Sequence, residues 1–403
     1  MALMVGRQPI LDQYGVTYGY ELLYRTDGDE AFSEVDGDQL TSRVINNTFY
    51  DSEMGSLSSG KRSFINFTTQ LVLDEIWKVI PKQQVVIELL ETIEPSEEII
   101  AAVKKMKAAG YTVALDDFVL SREILPLVEM ADIIKIDVQD TDRKTLETLA
   151  KSFRPKGKIL LAEKVETLEE FKFCRDLGFT LFQGYYFAHP QIVNSETIPD
   201  SKASKLRLMQ KIHRPDVDYS ELVDILKSDP NLSLKLLKYI NSVSMGVRHE
   251  ITSLRQALAL IGLINFKKWA SVLIMASFAD GKPRELLRLS LFRGRFCELI
   301  CQDLGHGDQS SEYFLVGIFS LLDATLDKPM DILVQDLPLA DDIIETLLGH
   351  DTIYRLAIRL SEILEEGDDI ETRIAQLGCN ITRDKLAEIN QQAIRWSDEI
   401  LSL

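Results

Sequence analysis

The sequence predicts two domains: an α/β barrel of the (β/α)8 type with one antiparallel strand over residues 1–195, and an all-α domain over residues 196–403. Three observations support this prediction. The chain has 403 residues, which is more than one typical core accommodates. Eight short apolar runs alternate with amphipathic segments up to about residue 190. Beyond that point helical periodicity continues without a convincing strand.

The eight apolar runs are the predicted barrel strands. They are Leu3–Pro9, Thr17–Leu23, Ser63–Asn66, Val85–Leu89, Thr112–Leu115, Ile133–Ile136, Ile159–Ala162 and Thr180–Phe187. The segment LDQYGV between the first two runs is too short for a crossover helix. These two strands should therefore form an antiparallel hairpin, and the others should run parallel.

Capping signals place several helices between and after the strands. Ser96 precedes an amphipathic segment that stops at Gly110, and Thr167 has capping-box spacing to Glu170. The polar segment NSETIPDSKASK is the predicted linker between the domains. After it, Asp229 is followed by proline, a usual first residue of a helix.

Composition excludes some classes of partner. The net charge of −18 disfavours nonspecific binding to nucleic acid or to an anionic membrane. No apolar run approaches the roughly 20 residues that span a bilayer. The N-terminal segment MALMVGRQPILD lacks the features of a signal peptide, so we expect a cytoplasmic protein.

Polar residues stand where most of the predicted strands end. They are Glu21, Asn66, Glu88, Asp116, Asp117, Lys135, Glu163 and Gln183. In a barrel of this kind the carboxyl ends of the strands converge on one pocket. Oxygen ligands without histidine or cysteine select hard ions, so the pattern indicates a Mg²⁺ or Mn²⁺ site for phosphodiester chemistry. Any single acidic residue at a strand end is more often a helix cap, and the prediction therefore depends on the joint pattern.

The lysine of this set has two interpretations. Lys135 lies eighteen residues after Asp117 at the end of the next predicted strand. It could position or deprotonate an attacking water, or it could simply neutralise the carboxylates around it.

The motifs RQPI, GYELLYR, FINF, IELLE, ALDDF, IKID, AEKVE and QGYYF occur in this order over the first 190 residues. Together they resemble an EAL domain, the cyclic-di-GMP phosphodiesterase module. The resemblance implies that Glu21, Asn66, Glu88 and Asp116 are metal ligands, that two ions share Asp117, and that Glu163 and Gln183 complete the site. It also implies that Lys135 assists the attacking water, that Glu91 steadies the loop after the aspartates, and that Arg25 meets a phosphate of the ligand.

Two departures from the EAL pattern affect the expected activity. The family has a glycine-rich loop after the aspartates, whereas this chain has Val119 to Arg122, which do not adopt glycine-only conformations. AEKVE also places Lys164 where the family has glycine. These changes favour weak or absent hydrolysis by a site that keeps its ligands.

The second domain resembles an HDOD domain, a helical module related to metal-dependent HD phosphohydrolases. The resemblance is carried by KSDPNLSLKLLKYINSVSMG, ITSLRQALALIG and FKKWAS. His350-Asp351 is the sole HD dipeptide and lies far from the matching helices, so we expect no metal chemistry in this domain. The resemblance implies a module that contacts a protein partner through its surface.

Three hypotheses follow for the whole chain. The first is a cyclic-di-GMP signalling protein whose EAL domain is weakly active or inactive and whose HDOD domain binds a partner. The second is an active Mg²⁺- or Mn²⁺-dependent phosphodiesterase that converts cyclic-di-GMP into linear pGpG. The third is an adaptor that binds no nucleotide. The balance favours the first, and the EAL resemblance also implies a homodimer.

Overall fold

The structure is a computed structural model. It describes residues 5–24, 58–116, 123–189, 200–214, 216–242, 251–335, 337, 339–366, 370–379 and 381–402. The chain divides into two compact units. The first comprises residues 1–189, 282–288 and 359–403, and the second comprises residues 190–281 and 289–358.

The first unit contains a closed eight-stranded barrel in which the strands follow sequence order. The strands are β1 (Val5–Asp12), β2 (Thr17–Tyr24), β3 (Arg62–Phe67), β4 (Val85–Leu89), β5 (Thr112–Leu115), β6 (Ile133–Asp137), β7 (Ile159–Glu163) and β8 (Leu181–Gln183). β1 pairs antiparallel with both β2 and β8, and all other pairs are parallel. The predicted fold class and the predicted antiparallel hairpin are confirmed.

A short polar turn joins β1 to β2. One carboxylate oxygen of Asp12 accepts hydrogen bonds from the backbone N–H groups of Tyr14 (2.8 Å) and Val16 (2.9 Å). Gly15 has φ 77°, a conformation that glycine adopts without steric cost. The turn reverses the chain within a few residues, and so the second strand returns beside the first.

Helices fill the connections of the parallel part. They are α1 (Thr69–Leu73), α2 (Glu97–Ala108), α3 (Leu125–Met130), α4 (Arg143–Phe153) and α5 (Leu168–Leu177). The Ser96 hydroxyl caps α2 by accepting from the N–H of Ile99, and Thr167 and Glu170 form the complete capping box of α5. Both capping predictions are confirmed.

The last strand is shorter than predicted. β8 ends at Gln183, whereas the apolar run continues to Phe187. Gly184 takes φ 134° and lies so close to the backbone of Val165 that a Cβ atom there would collide with it. The chain then turns into a 3-10 helix, Tyr186–Ala188, so the strand stops where the backbone leaves the extended region.

From residue 200 onwards the described elements are all helices. They are α6 (Asp200–His213), α7 (Tyr219–Ser228), α8 (Pro230–Ile240), α9 (Leu254–Ile261), α10 (Leu263–Phe278), α11 (Arg284–Ile300), α12 (Ser310–Phe319), α13 (Leu322–Leu326), α14 (Met330–Gln335), α15 (Asp341–Leu347), α16 (Arg355–Glu366), α17 (Ile370–Gln376) and α18 (Arg383–Ser402). Asp229 caps α8 by accepting from the N–H of Leu232 at 3.0 Å.

Among the described residues, no single helix has both the length and the apolar character needed to cross a bilayer. Only α9 and α10 taken together pass by length and composition, and they are bent by 104° relative to each other.

Two late segments of the chain belong to the barrel unit and make buried polar contacts with its first strands. The guanidinium of Arg7 on β1 donates two hydrogen bonds of 3.1 Å to the carboxylate of Asp398 on α18. The hydroxyl of Tyr20 on β2 donates to Glu285 on α11 at 3.1 Å, and Glu285 also pairs with Arg288. The barrel unit is therefore completed by residues far along the sequence.

Candidate metal centre

The barrel interior has an apolar layer and a polar layer that are two residues apart along the strands. The apolar layer is a cluster of buried side chains: Ile10, Phe64, Val86, Ala114, Ile133, Leu161 and Leu181. Side chains on a strand face the same side at every second residue. Two positions further toward the carboxyl ends of the parallel strands stand Asn66, Glu88, Asp116, Lys135, Glu163 and Gln183. The alternation of the strands thus places the predicted site residues on one side of a packed apolar plug.

Four carboxylates surround the ammonium of Lys135: three lie on strands β2, β4 and β7, and that of Asp116 directly follows β5. Its Nζ atom lies 2.6 Å from Asp116 Oδ1 and 2.9 Å from both Glu88 Oε1 and Glu163 Oε1. The fourth carboxylate, that of Glu21, lies 3.3 Å away through Oε2. Lys135 and Glu88 are fully buried, so bulk water does not screen this interaction.

The surroundings shift the protonation equilibria of the site. Burial lowers the pKa of Lys135, but the negative charges around it outweigh burial and hold its pKa well above the ordinary value. Burial, reinforced by the charge of Glu21, raises the pKa of Glu88 well above its usual range. Burial raises the pKa of Glu163 to about 8, although the Lys135 ammonium draws it downward. The cluster as it stands therefore favours a protonated Lys135, while burial opposes the charged forms of Glu88 and Glu163.

The donor set fits a hard divalent cation. Glu88 Oε2 and Glu163 Oε2 are buried and accept no hydrogen bond from any described residue. Such oxygens are incompletely satisfied, and carboxylate and amide oxygens are the ligands that Mg²⁺ and Mn²⁺ take. Within the described residues no three Asp, Glu, His or Cys side chains are arranged around a common ion position. At the point where the carboxylates converge stands the ammonium of Lys135, and a cation would have to displace it.

Two glutamines extend the cluster toward β1. Gln183 Nε2 donates to Glu21 Oε2 and to Gln8 Oε1, both at 2.6 Å. Gln8 was not among the predicted site residues. β1 runs antiparallel to its neighbours, so its polar residue precedes its buried Ile10 in the sequence rather than following it. The sequence signal that could have identified Gln8 is its place in RQPI, two positions before the buried Ile10.

Of the remaining predicted site residues, one stands beside the cluster, one lies outside it, and the others fall outside the described residues. Asn66 on β3 stands beside Glu88 on β4 in the register of the parallel pair. Glu91 follows β4, is exposed, and has no hydrogen bond or ion pair to the four carboxylates. Arg25, Asp117 and the segment from Val119 to Arg122 lie outside the residues that the structure describes.

Comparison with known proteins gives the family. The model of the EAL domain matches residues 54–190 and that of the HDOD domain matches residues 198–322. The uncharacterized protein YuxH of Bacillus subtilis is 32% identical over 412 residues, which cover 100% of this chain and 99% of that protein. The cyclic di-GMP phosphodiesterase CdgJ of Vibrio cholerae is 34% identical over 406 residues, which cover 98% of this chain and 92% of that protein. The chain belongs to the EAL–HDOD family.

Part of this EAL–HDOD protein also resembles solved structures. The PaMucR phosphodiesterase in complex with c-di-GMP is 18% identical, with a TM-score of 0.40, and the match covers 46% of this chain and 95% of that one.

One departure of this EAL–HDOD protein from the EAL pattern has a clear structural outcome. Lys164, which follows β7, adopts φ 52°, a left-handed conformation that is strained for residues other than glycine. Its ammonium is largely exposed and lies 2.6 Å from Asp137 Oδ2. The added charge is thus directed to Asp137, which is not one of the four carboxylates around Lys135.

Proposed function

We propose that this chain is a cyclic-di-GMP signalling protein whose barrel binds divalent cations together with cyclic-di-GMP and hydrolyses the nucleotide slowly to linear pGpG. The observation that carries the proposal is the convergence on the Lys135 ammonium of four carboxylates, three on β2, β4 and β7 and one directly after β5. The full-length relationship to CdgJ, which is named a cyclic di-GMP phosphodiesterase, supports the choice of substrate.

The side chains of the cluster have distinct proposed roles. Glu21, Glu88, Asp116 and Glu163, with Asn66, hold the cation through oxygen atoms. Asp117 is proposed as a further ligand, and Arg25 as a phosphate contact, on the sequence resemblance. When bound, a divalent cation polarises a phosphodiester and lowers the pKa of a water ligand.

Lys135 has two proposed roles that follow one another. In the metal-free protein its ammonium compensates the buried carboxylates, and this favours the metal-free state over cation binding. Once a cation neutralises the carboxylates, the charges that raise the pKa of Lys135 are offset. The lysine then loses its proton more readily and can accept one from the attacking water.

The low rate has a physical argument and a sequence argument. A cation must displace an ammonium that four carboxylates hold within 3.3 Å, so part of its binding free energy is spent on that exchange. In the sequence, the loop after Asp116 lacks the glycines of the EAL pattern. The charge of Lys164 is paired with Asp137 and does not neutralise the four carboxylates around Lys135. This favours a site that still binds a cation.

The second unit is proposed to contact a protein partner, and the EAL resemblance suggests a homodimer. These are inferences from the family rather than from geometry. A pull-down with the full chain and gel filtration with light scattering would test them directly.

The test of the enzymatic proposal uses the purified full chain. Cyclic-di-GMP is incubated with Mn²⁺ or Mg²⁺, and both binding and the appearance of pGpG are measured. We expect slow turnover that EDTA abolishes and that Asp116→Asn reduces by at least about 100-fold, within the range for loss of a charged catalytic contact. Lys151→Met, which alters an exposed pair with Glu147 on α4, is the control and should not change the rate. Cation-dependent binding of cyclic-di-GMP without turnover would refute the proposed hydrolysis and indicate a cyclic-di-GMP receptor. The absence of both binding and turnover would refute the whole proposal.

A further inference from the structure

A chain of hydrogen bonds joins a backbone carbonyl of helix α16 to a carboxylate of the metal centre. The side-chain amide nitrogen of Gln8 donates to the backbone oxygen of Glu366. Gln8 Oε1 in turn accepts from Gln183 Nε2, which also donates to Glu21 Oε2. The C-terminal segment, residues 359–403, thus reaches the site through two glutamines.

A backbone carbonyl on α16 sets the polarity of these hydrogen bonds. A carbonyl oxygen can only accept. The backbone oxygen of Glu366 therefore requires that Gln8 present its NH₂ group. The opposite end of the Gln8 amide, Oε1, must then face Gln183.

This orientation is passed to the second glutamine. Because Gln8 presents an acceptor, Gln183 must turn its NH₂ group toward Gln8, and the same nitrogen reaches Glu21 Oε2. Gln183 Oε1 is left buried without a hydrogen bond from any described residue. If the Gln8 amide flipped, its Oε1 would face the carbonyl oxygen of Glu366, and two acceptors would stand opposite each other. The carbonyl of Glu366 therefore selects one orientation for the amides of both Gln8 and Gln183.

A second contact holds the C-terminal segment at the same strand. Arg7, the neighbour of Gln8 on β1, makes a bidentate pair with Asp398 on α18. Arg7 and Asp398 are both largely shielded from solvent, with exposed side-chain fractions of 2% and 16%. The C-terminal segment is therefore attached to β1 at a second point.

We propose that Gln8 is a positioning residue through which the C-terminal segment controls cation binding at the barrel. While α16 is in place, Gln8 keeps Gln183 in the orientation that supports Glu21 and offers Gln183 Oε1 to the bound cation or its water. When the segment moves away, both amides are free to turn and the site binds the cation more weakly. The proposal rests on the cation site of the proposed function and adds a means of regulating it.

The first measurement is Mn²⁺ binding by the full chain, followed through the EPR signal of free Mn²⁺. Gln8→Met keeps the length of the side chain and removes its polar atoms. We expect Mn²⁺ affinity to fall by about 10- to 100-fold, the usual effect of losing a group that orients a metal ligand. Gln139→Met is the matched control, because the side-chain amide of Gln139 donates to Lys164 and Glu170 at the same end of the barrel, outside the cluster around Lys135. Its affinity should equal that of the wild type.

The second measurement uses the reciprocity of coupled sites. If the segment favours cation binding, the cation must stabilise the segment by the same free energy. Hydrogen exchange of the amides in residues 359–366 should therefore slow when Mn²⁺ is added to the wild type. This protection should disappear in Gln8→Met.

A second variant separates the Gln8–Glu366 hydrogen bond from the Gln8–Gln183 hydrogen bond. Gln8→Glu keeps an acceptor for Gln183 but loses the donor for Glu366. We expect Gln8→Glu to bind Mn²⁺ at least as tightly as the wild type and to show no protection of residues 359–366. Circular dichroism melts establish that each variant is folded.

Several results would overturn the inference. They are wild-type Mn²⁺ affinity in Gln8→Met, an equal loss in Gln139→Met, and unchanged exchange of residues 359–366 in the wild type. In each of these cases the wild type still binds Mn²⁺, so the proposed cation site survives. If the wild type itself binds no Mn²⁺, the proposed function fails and the regulatory inference fails with it.

Discussion

Replacing Lys135 by methionine should destabilise the metal-free protein more than any surface lysine does. The variant removes an ammonium that lies within 3.3 Å of four carboxylates and leaves their negative charges buried. The cheapest response is for a carboxylate to take up a proton. At pH 7, protonating a carboxyl group whose unfolded pKa is near 4.3 costs about 3–4 kcal/mol. Measured losses from breaking a buried ion pair by removing one partner are similar, about 3–5 kcal/mol.

The assay is calorimetric unfolding of the full chain in EDTA. For a unit of this size a loss of 3–5 kcal/mol lowers Tm by roughly 6–20 °C. Mn²⁺ should restore more stability to Lys135→Met than to the wild type, because the cation replaces the missing charge. Lys151→Met on the exposed face of α4 is the control, and its free energy of unfolding should change by less than about 0.5 kcal/mol.

The pH dependence of the stability of Lys135→Met tests the direction of the predicted effect. Without Lys135, the burial that raises the pKa of Glu88 and Glu163 above their unfolded values is no longer opposed by the ammonium. Their contribution to stability is present below the unfolded pKa and is lost as pH rises. At pH 5 the uptake of one proton costs only about 1 kcal/mol, so the deficit of the variant should shrink. A Tm equal to that of the wild type in EDTA at pH 7 would refute the assignment of Lys135 as the counterion of the cluster.

Three further perturbations test the structure around the site and in the second unit. Lys164→Gly should raise the free energy of unfolding in urea by about 0.5–1 kcal/mol. The reason is that relief of the left-handed φ of 52° exceeds the loss of the exposed ion pair with Asp137. A clear loss of stability would contradict this argument from backbone strain. Gly184→Ala should cost roughly 2–5 kcal/mol in a thermal melt, since its Cβ would meet the backbone of Val165, and an unchanged Tm would show that the loop relaxes freely. Burial lowers the pKa of His213 to about 3, below its unfolded value of 6.5. Its contribution is therefore lost as pH falls from 6.5 toward 3, by about 2 kcal/mol at pH 5, and His213→Gln should flatten this dependence in urea titrations at pH 7 and pH 5.

Most of the barrel could be predicted because its signals are local. Strand periodicity, the short LDQYGV connection and the caps Ser96 and Thr167 each act within a few residues, and all were confirmed. The end of β8 was predicted wrongly. Its apolar run continues to Phe187, and the stop depends on the close approach of Val165 to Gly184 rather than on local sequence.

The sequence by itself determined which polar groups the barrel presents, because a side chain every second residue on parallel strands must meet its counterparts at one end. Their arrangement around a charge was a tertiary matter. Closure of the barrel placed Lys135 among four carboxylates, where burial raises the pKa of Glu88 and the surrounding negative charges raise that of Lys135. The link from Glu366 through Gln8 to the site joins residues 358 positions apart. Only tertiary structure decides such a contact, since periodicity and capping report on near neighbours and carry no information about where a distant helix lies.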